Sequence, residues 1–335
     1  MSETLQLVAA FNHLHIFIDP DPDASRSFVE RQRLFDLPRS SWTDYDASLI
    51  SAGGGVFPRS AKRIAITPQM KARFDIEADQ LTPAELIHAL LKAPVDLLWN
   101  GGIGTYVKST AETHADVGDK ANDILRVNGN ELRAKVIGEG GNLGITQLGR
   151  VEYCLHGGAA NTDFIDNAGG VNCSDHEVNI KILLNEIVSA GDMTGKQRDQ
   201  LLFEMTDAVA ELVLHDNYKQ TQALSQAEHR AHEGGSEYKR LISSLEADGL
   251  LDRALEFLPG DEMLAERANL GKGLTRPELS VLISYSKIEL KEALLQSRVP
   301  DDAYLAREME SAFPQLLAEQ YRPAMLQHRL KREIV

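Results

Sequence analysis

The chain has 335 residues, 43% of them hydrophobic and 25% charged, which is typical of a globular protein of about two domains. Its formal net charge is -15, from 35 basic and 50 acidic residues, and no basic run offsets that charge locally. An acidic surface repels phosphate backbones and anionic membranes, so we predict neither a nucleic-acid nor a membrane partner. No apolar run reaches the roughly 18 residues that a membrane span needs.

The two cysteines give no sign of a metal centre or a disulfide framework. Cys154 and Cys173 stand 19 residues apart, without the spacing of a zinc site. The first residues lack the basic region and the cleavage site of a signal peptide. We therefore expect reduced thiols, no bound metal and a cytoplasmic location.

Short apolar runs separated by glycine-rich turns dominate the chain as far as about residue 185. Several are continuously apolar, which is typical of parallel strands covered on both faces. Helices are predicted between some of them, at 83–91 and 117–125, so the pattern favours an α/β doubly wound region. The strand candidates are "LHIFID" (14–19), "KRIAIT" (62–67), "VDLLWN" (95–100), "AKVIGEG" (134–140) and "NTDFID" (161–166).

From about residue 190 the chain changes character, because glycine becomes sparse and apolar residues recur at helical spacing. A helix is predicted over 195–219, with Thr194 as its N-cap. The run Thr275-Arg276-Pro277-Glu278 has the spacing of a capping box, with proline in the first turn. We expect the tail from about 190 to 335 to be entirely helical.

The strand that ends at Asp19 resembles the second strand of a dinucleotide-binding domain, whose terminal acid holds a ribose. That role needs a glycine-rich phosphate loop roughly 20 residues earlier. Only 18 residues precede Asp19, and none of them is glycine. A ribose site is therefore predicted without the phosphate loop that normally accompanies it.

Four glycine-rich stretches could bring backbone N–H groups close to a ligand, although each could equally be a tight turn. One of them, beginning at Gly102, is two-thirds of a dinucleotide fingerprint, but its third glycine is missing and Asp123 falls in a predicted helix. The run "SDHE" is predicted to be a helix N-terminus capped by Ser174 or Asp175 rather than a metal site. The four stretches are "SAGGGVF" (51–57), "NGGIGTYV" (100–107), "GEGGNLG" (138–144) and "DNAGGVNCSDHE" (166–177).

Two of these stretches, taken in order, resemble the cofactor domain of the glutamate dehydrogenases. That family has an "EGAN" turn after a strand and, further on, an "NAGGV" turn followed by a serine; here these are "EGGN" (139–142), "NAGGV" (167–171) and Ser174. Three further segments resemble one branch of that family more closely, the large, multidomain NAD-dependent glutamate dehydrogenases of bacteria. They are "HIFIDPDPD", "DLLWNGGIGTYVK" and "GLTRPELSVLISYSK". It extends over essentially all of the chain.

The resemblance implies NAD as the cofactor and assigns several contacts to it. Asp19 would hold the adenosine ribose, as the acid that ends the second strand does in NAD-preferring domains. The backbone of Asn100, Gly101 and Gly102 would pass close to the cofactor.

Two asparagines and a serine complete the implied site. Asn142 and Asn167 match the asparagines that contact the nicotinamide ribose and carboxamide, and an amide suits that task because it both donates and accepts. Ser174 matches the serine that contacts the side-chain carboxylate of the substrate. The implied reactants are L-glutamate and 2-oxoglutarate, and the implied assembly is a homo-oligomer.

The expected architecture is α/β: an incomplete Rossmann-like, doubly wound parallel sheet over 1–188 that lacks its first strand and glycine-rich loop, followed by an all-α domain over 189–335. In the family, the lysines and the aspartate of the chemistry lie upstream of this region, so no catalytic residue is assigned here. We expect a fragment of a longer dehydrogenase that is inactive on its own. The alternatives are a non-catalytic binding or oligomerisation module with a degenerate dinucleotide-binding fold, and another amino-acid dehydrogenase.

Overall fold

The structure, a computed structural model, describes residues 2–233 and 236–335. The chain divides into two compact units, one ending at Ala160 and the other beginning at Asn161. The predicted domain boundary, between residues 188 and 189, falls within a long helix of the second unit, and as a limit between domains it stays a prediction. Residue 1 of the predicted first domain and residues 234 and 235 of the predicted second lie outside the described residues.

The first unit mixes short strands with short helices. Its helices are α1 (Ala24–Asp36), α2 (Pro68–Phe74), α3 (Pro83–Leu91), α4 (His114–Val117) and α5 (Gln147–Leu155). Its strands are β1 (Ala9–Phe11), β2 (His15–Ile18), β3 (Gly55–Pro58), β4 (Ile64–Ala65), β5 (Gln80–Leu81), β6 (Leu97–Asn100), β7 (Val107–Lys108), β8 (Val127–Asn128), β9 (Val136–Glu139) and β10 (Ala159–Ala160).

A parallel three-stranded sheet in the order β10-β9-β6 confirms the α/β class predicted from the sequence. Asn100 pairs with Glu139, so the carboxyl ends of β6 and β9 lie side by side. Alternate residues such as Ile137 point into the apolar core of the unit, where α3 packs through Leu86 and Ile87. At the carboxyl ends of β6 and β9, two glycine-rich loops therefore leave neighbouring strands.

The strand that ends at Asp19 does not belong to this parallel sheet. β2 pairs antiparallel with β1 on one side and with β3 on the other, which corrects the expectation of a parallel strand. Its continuous apolar run has another cause: Ile16 and Ile18 pack into the main core, whereas Phe17 packs against Trp42 and Tyr45 on the opposite face. A strand buried on both faces is apolar throughout, whichever way its neighbours run.

Two further predictions about local structure are wrong. The helix expected over 117–125 is absent, because α4 ends at Val117 and Gly118 follows it in the left-handed region, with φ +74°. "NTDFID" is not a strand: β10 ends at Ala160, and Asp163–Asp166 forms a helical turn instead. The predicted helix at 83–91 is found with the same bounds, as α3.

Every regular element of the second unit's described residues is helical, which confirms the predicted all-α character of the tail. Two apolar clusters hold these helices together, one built around Leu224, Ile242 and Leu279 and the other around Leu183, Met205 and Leu317. The helices are α6 (Asp163–Asp166), α7 (Ala168–Ala190), α8 (Gly195–Glu204), α9 (Thr206–Glu233), α10 (Ser236–Ala247), α11 (Asp261–Asn269), α12 (Arg276–Gln296), α13 (Glu308–Ser311), α14 (Gln315–Met325) and α15 (Lys331–Ile334).

Helix ends in this unit follow the capping signals of the sequence. Thr194 caps α8 and Thr275 caps α12, as predicted, and each does so in a capping box. The single helix expected over 195–219 is wrong, because α8 ends at Glu204 and a second helix, α9, begins at Thr206. The predicted cap of α7 at Ser174 or Asp175 is wrong, because the helix begins six residues earlier, at Ala168, with Asn167 at the N-cap position. Within the described residues, no helix is long and apolar enough to cross a membrane.

Candidate functional site

Two glycine-rich loops meet at the carboxyl edge of the parallel sheet. The carbonyl oxygen of Asn100, at the end of β6, accepts hydrogen bonds from the backbone N–H groups of Gly140 (2.9 Å) and Gly141 (3.2 Å), which follow β9. In open α/β sheets this edge is where ligands bind, because the loops there leave neighbouring strands and form a crevice. We call the segments 100–104 and 140–144 the β6 loop and the β9 loop.

The two loops can touch only because glycine lies between them. A Cβ atom at Gly141 would lie 2.6 Å from the carbonyl oxygen of Gly102, and one at Gly144 would overlap the side-chain amide of Asn100. That amide nitrogen, Nδ2 of Asn100, is buried and has no hydrogen-bond partner. An unpaired buried donor costs about 1–3 kcal/mol, so it marks a position where an acceptor from outside the chain would be stabilising.

An exposed tryptophan lies beside these loops. The indole of Trp99 covers Gly138 and Gly140, since Cβ atoms there would lie 2.6 and 2.5 Å from its ring. Its Nε1 lies next to Gly101, at 3.2 Å from where a Cβ would be. With 59% of Trp99 exposed, a large aromatic surface and an N–H donor face the outside. Trp99 lies in the strand predicted from the sequence, but no motif there marks it as a site residue.

A buried ion pair supports the β9 loop from below. Arg150, in α5, donates from Nε to Glu139 Oε2 (2.6 Å) and from Nη2 to Oε1 (3.0 Å), and both side chains are almost fully buried. Glu139 also accepts from the backbone N–H of Ile145 at 3.2 Å, just beyond the loop. The carboxylate therefore ties the two ends of the β9 loop to a helix, which limits the freedom of the residues between them.

A second buried arginine fixes the far end of the β6 loop. Arg126 donates from Nε to the carbonyl oxygen of Thr105 (2.8 Å) and from Nη1 to Asp123 (2.7 Å). Asp119 accepts from the backbone N–H of Thr105 at 2.8 Å and from Asn122 at 2.7 Å. Partial burial would raise the pKa of Asp119, but these hydrogen bonds and the charge of Arg126 outweigh it and hold that pKa below its ordinary value.

These contacts also explain why the helix predicted over 117–125 does not form. Asp119 and Asp123 use their carboxylates to hold Thr105 and Arg126, and the backbone between them forms only a short 3-10 turn, Lys120–Asn122. A continuous helix would turn the two acids, four residues apart, to one face. The sequence signal that could have found this is the density of aspartate and glycine after Val117.

Asp19 is buried, only 1% exposed, and already has partners. One of its carboxylate oxygens accepts from the backbone N–H of Ser51 (3.1 Å) and from the Ser51 hydroxyl. The hydroxyl oxygen of Ser51 also accepts from the backbone N–H of Asp21 at 3.0 Å. Asp19 thus fastens the turn that begins "SAGGG" to the end of β2, and a ribose contact would come in addition to this role.

The remaining two predicted site residues belong to the second unit. Asn167 occupies the N-cap position of α7, and its backbone N–H donates to the carbonyl oxygen of Asp163 at 2.7 Å. Ser174 is exposed, nearly two turns into α7. Val171 and Val178 are exposed too, at helical spacing from Ser174, so the three side chains share a face.

The opposite face of α7 is occupied by contacts within the unit. Asn172 and His176 both hydrogen-bond to Asp216 of α9, at 3.0 and 3.2 Å. Partial burial would raise the pKa of Asp216, but the hydrogen bonds from Asn172 and His176 outweigh it and lower that pKa. His176 is therefore a helix-packing residue, and the run "SDHE" does not converge on a single point.

The structure thus brings together Asn100, Gly101 and Gly102 in the β6 loop with the β9 loop that contains Asn142. Asp19 directly follows β2, a strand of a different sheet in the same unit. Among the described residues, no group of three or more His, Cys, Asp and Glu side chains is placed to hold a metal ion.

The first unit has a parallel sheet with glycine-rich loops at the carboxyl ends of its strands, and helices follow it in the chain. This is the architecture of a Rossmann-like α/β protein with a helical extension. A family model described as "Bacterial NAD-glutamate dehydrogenase, catalytic domain" matches residues 1–227, and one described as "Glutamate dehydrogenase, C-terminal" matches residues 271–335. The chain belongs to the bacterial NAD-glutamate dehydrogenase family.

Curated relatives agree with this assignment. Proteins named NAD-specific glutamate dehydrogenase are 78% identical in Pseudomonas aeruginosa, 64% in Halomonas elongata and 50% in Mycobacterium tuberculosis, each over the whole of this chain. The chain spans 21% of the length of each relative. These matches confirm the resemblance found in the sequence and do not favour a non-catalytic module.

Proposed function

We propose that this chain supplies the NAD site, and one substrate contact, of an NAD-dependent glutamate dehydrogenase. The reaction converts L-glutamate, NAD and water to 2-oxoglutarate, ammonia and NADH. The observation that carries the proposal is the meeting of the β6 and β9 loops around the buried, unpaired amide of Asn100. The names of the relatives, all NAD-specific, support it.

The residues at this edge suit a dinucleotide. Glycines at 102, 141 and 144 let backbone atoms approach a ligand without side chains in the way, and the unpaired Asn100 donor can satisfy a hydroxyl or phosphate oxygen. The Trp99 indole offers a flat surface and an N–H beside Gly101. Hydroxyl, phosphate and planar ring are the three kinds of group that a dinucleotide presents.

Each residue is given one task. The β6 loop holds the cofactor by its backbone, and Asn142 contacts the nicotinamide ribose. Asn167 holds the carboxamide, which fixes the face that the nicotinamide ring presents to the substrate. Bound NAD supplies the hydride acceptor for Cα of glutamate. Ser174, exposed on α7, donates its hydroxyl hydrogen to the side-chain carboxylate of the substrate.

Three further expectations belong to the proposal. No acid–base role is assigned to a residue of this chain, and we expect the chain by itself to give no turnover and to bind NAD weakly. A homo-oligomer is proposed because large dehydrogenases bury amphipathic helices at subunit contacts. A cytoplasmic location is proposed because the sequence has only two cysteines, 19 residues apart, and so lacks the cysteine pattern of a disulfide framework.

The function is tested by placing this chain in the Pseudomonas aeruginosa relative, in exchange for the matching segment, and measuring NADH formation from glutamate. Retained activity that depends on glutamate and prefers NAD to NADP supports the proposal. Activity lost upon exchange, in a chimera that folds and is as thermally stable as the parent, contradicts it. Asn142→Ala should raise the KM for NAD in the active chimera, and Asn130→Ala, at an exposed asparagine of the same unit, should not.

A further inference from the structure

An arginine at the start of α12 reaches back to the first residue of the second unit. Arg276 donates from Nε to Oδ1 of Asn161 at 3.0 Å and from Nη1 to Glu228 (2.8 Å) and Ser225 (3.1 Å) of α9. Its side chain is only 17% exposed. A guanidinium held by three fixed partners is a rigid connector, because its planar fork loses little further freedom.

The contact continues through Asn161 to Asp166, the residue before Asn167. Asn161 accepts from Arg276 with its oxygen and donates from Nδ2 to Asp166 Oδ1 at 2.7 Å. Asp166 is the last residue of α6 and directly precedes Asn167. The Asn161 side chain therefore links the two ends of the segment 161–166 and connects them to the guanidinium of Arg276.

The same segment is fastened by burial and by a backbone contact. Ile165 is 1% exposed and packs in the apolar cluster that Leu224 of α9 and Leu279 of α12 help to form. Asn217 of α9 donates to the carbonyl oxygen of Ile165 at 3.1 Å. The helices of the tail thus form a platform under the turn that leads into Asn167 and α7.

We propose that Arg276 is a positioning residue for Asn167: through Asn161 and Asp166 it sets the place and orientation of Asn167. This inference rests on the proposed function, in which Asn167 holds the nicotinamide carboxamide. A cofactor group displaced by about 1 Å loses a large part of its rate advantage, so a connector outside the site can affect turnover. The proposal also assigns a role to α9 and α12, which hold the turn before Asn167.

The test compares three single variants. Arg276→Lys removes the fork but keeps the charge, and Asn161→Ala removes the amide link while leaving Arg276 in place. The matched control is Arg253→Lys: Arg253 is 16% exposed, is paired with Glu246 (2.7 Å) and Asp261 (2.9 Å), and lies in the same unit without a contact to the turn. Each is made in the 335-residue chain and in the Pseudomonas aeruginosa chimera.

In the chimera we expect Arg276→Lys and Asn161→Ala each to raise the KM for NAD and the dissociation constant of NADH about five- to tenfold, which corresponds to the net contribution of one ordinary hydrogen bond. The KM for glutamate should change less than about twofold, because α7 is held by its own packing. The double variant should be no worse than the worse single one. Arg253→Lys should leave the KM for NAD and the dissociation constant of NADH unchanged.

The inference is overturned if the KM for NAD and the dissociation constant of NADH are the same in wild type, Arg276→Lys and Asn161→Ala. It is also overturned if Arg253→Lys raises both constants as much as Arg276→Lys does. If Arg276→Lys fails to fold, Asn161→Ala decides alone. If the wild-type chimera makes no NADH from glutamate, the proposed function fails, and amide hydrogen exchange in the 335-residue chain still tests the positioning. Faster exchange at Asp166 and Asn167 in Arg276→Lys than in Arg253→Lys supports it, and equal exchange refutes it.

Discussion

The buried ion pair beneath the β9 loop leads to a sharp prediction about stability. Glu139 and Arg150 are joined by two hydrogen bonds, at 2.6 and 3.0 Å, and their side chains are 1% and 4% exposed. Replacing Arg150 with methionine removes the cation and leaves the carboxylate of Glu139 buried without its partner. Breaking such a pair costs about 3–5 kcal/mol, because the remaining charge stays buried and has lost its counter-charge.

Removing both charges should cost much less. In Glu139→Gln/Arg150→Met neither member of this pair carries a charge, and the glutamine oxygen can still accept from the backbone N–H of Ile145. We expect the double variant to lie within about 1–2 kcal/mol of wild type, so that the two substitutions are strongly coupled. Lys135→Met is the control: the ion pair of Lys135 with Asp96 has a 2.7 Å contact, but the two side chains are 78% and 86% exposed. Water and salt screen such a pair, so its loss should leave the urea midpoint almost unchanged.

The assay is urea unfolding followed by tryptophan fluorescence. The chain has two tryptophans, Trp42 and Trp99, and both belong to the first unit, so the signal reports that unit without a contribution from the helical one. A loss of less than about 1 kcal/mol in Arg150→Met, or equal losses in the single and the double variant, would refute the argument from burial.

Four further predictions concern the loops, Asp119 and Asp19. Gly102→Ala should leave the free energy of unfolding unchanged within about 0.5 kcal/mol, since nothing lies within 4 Å of the added Cβ, but it should weaken NAD binding. In Gly144→Ala the added Cβ would overlap the Asn100 amide, so this variant should lose about 1–3 kcal/mol of unfolding free energy in urea. Asp119→Asn should lower the free energy of unfolding by about 1–2 kcal/mol at neutral pH. Because folding lowers the pKa of Asp119, its carboxylate stabilises the fold above the ordinary pKa of 3.8, and this stabilisation is lost as the pH falls through the pKa of the folded state. Urea curves of the variant and the wild type should therefore converge in acid, and a difference that stays constant with pH would contradict this prediction. Asp19→Ala should lower the melting temperature even without NAD, and an unchanged value would show that its hydrogen bonds contribute nothing.

Local signals in the sequence predicted the regular elements well. α3 has a proline in its first turn and a capping box at Thr82, and α8 and α12 begin at the predicted threonines. Each of these patterns depends on residues three or four positions apart, so a single segment carries the whole signal. The motifs "EGGN" and "NAGGV" were strong for the same reason and led to the family.

Strand pairing and long-range contacts could not be obtained in that way. The apolar run of β2 is the same for a parallel or an antiparallel strand, and only β1 and β3 decide which it is. The use of Asp119 and Asp123 to hold Thr105 and Arg126 depends on side chains that meet after folding. Nor does any sequence pattern join Arg276 to Asn161, which lie 115 residues apart.

The central claim is that the carboxyl edge of β6 and β9 holds NAD, and the indole N–H signals of the two tryptophans test it most directly. In a ¹H–¹⁵N spectrum of the chain, Trp99 reports this edge, because its Nε1 lies beside Gly101, and Trp42, stacked on Phe17 at 4.7 Å, is an internal control. We predict a saturable shift of the Trp99 signal on addition of NAD, weaker in Asn142→Ala, with the Trp42 signal unmoved. A Trp99 signal that stays in place up to millimolar NAD, or that moves equally in Asn142→Ala, would contradict the account.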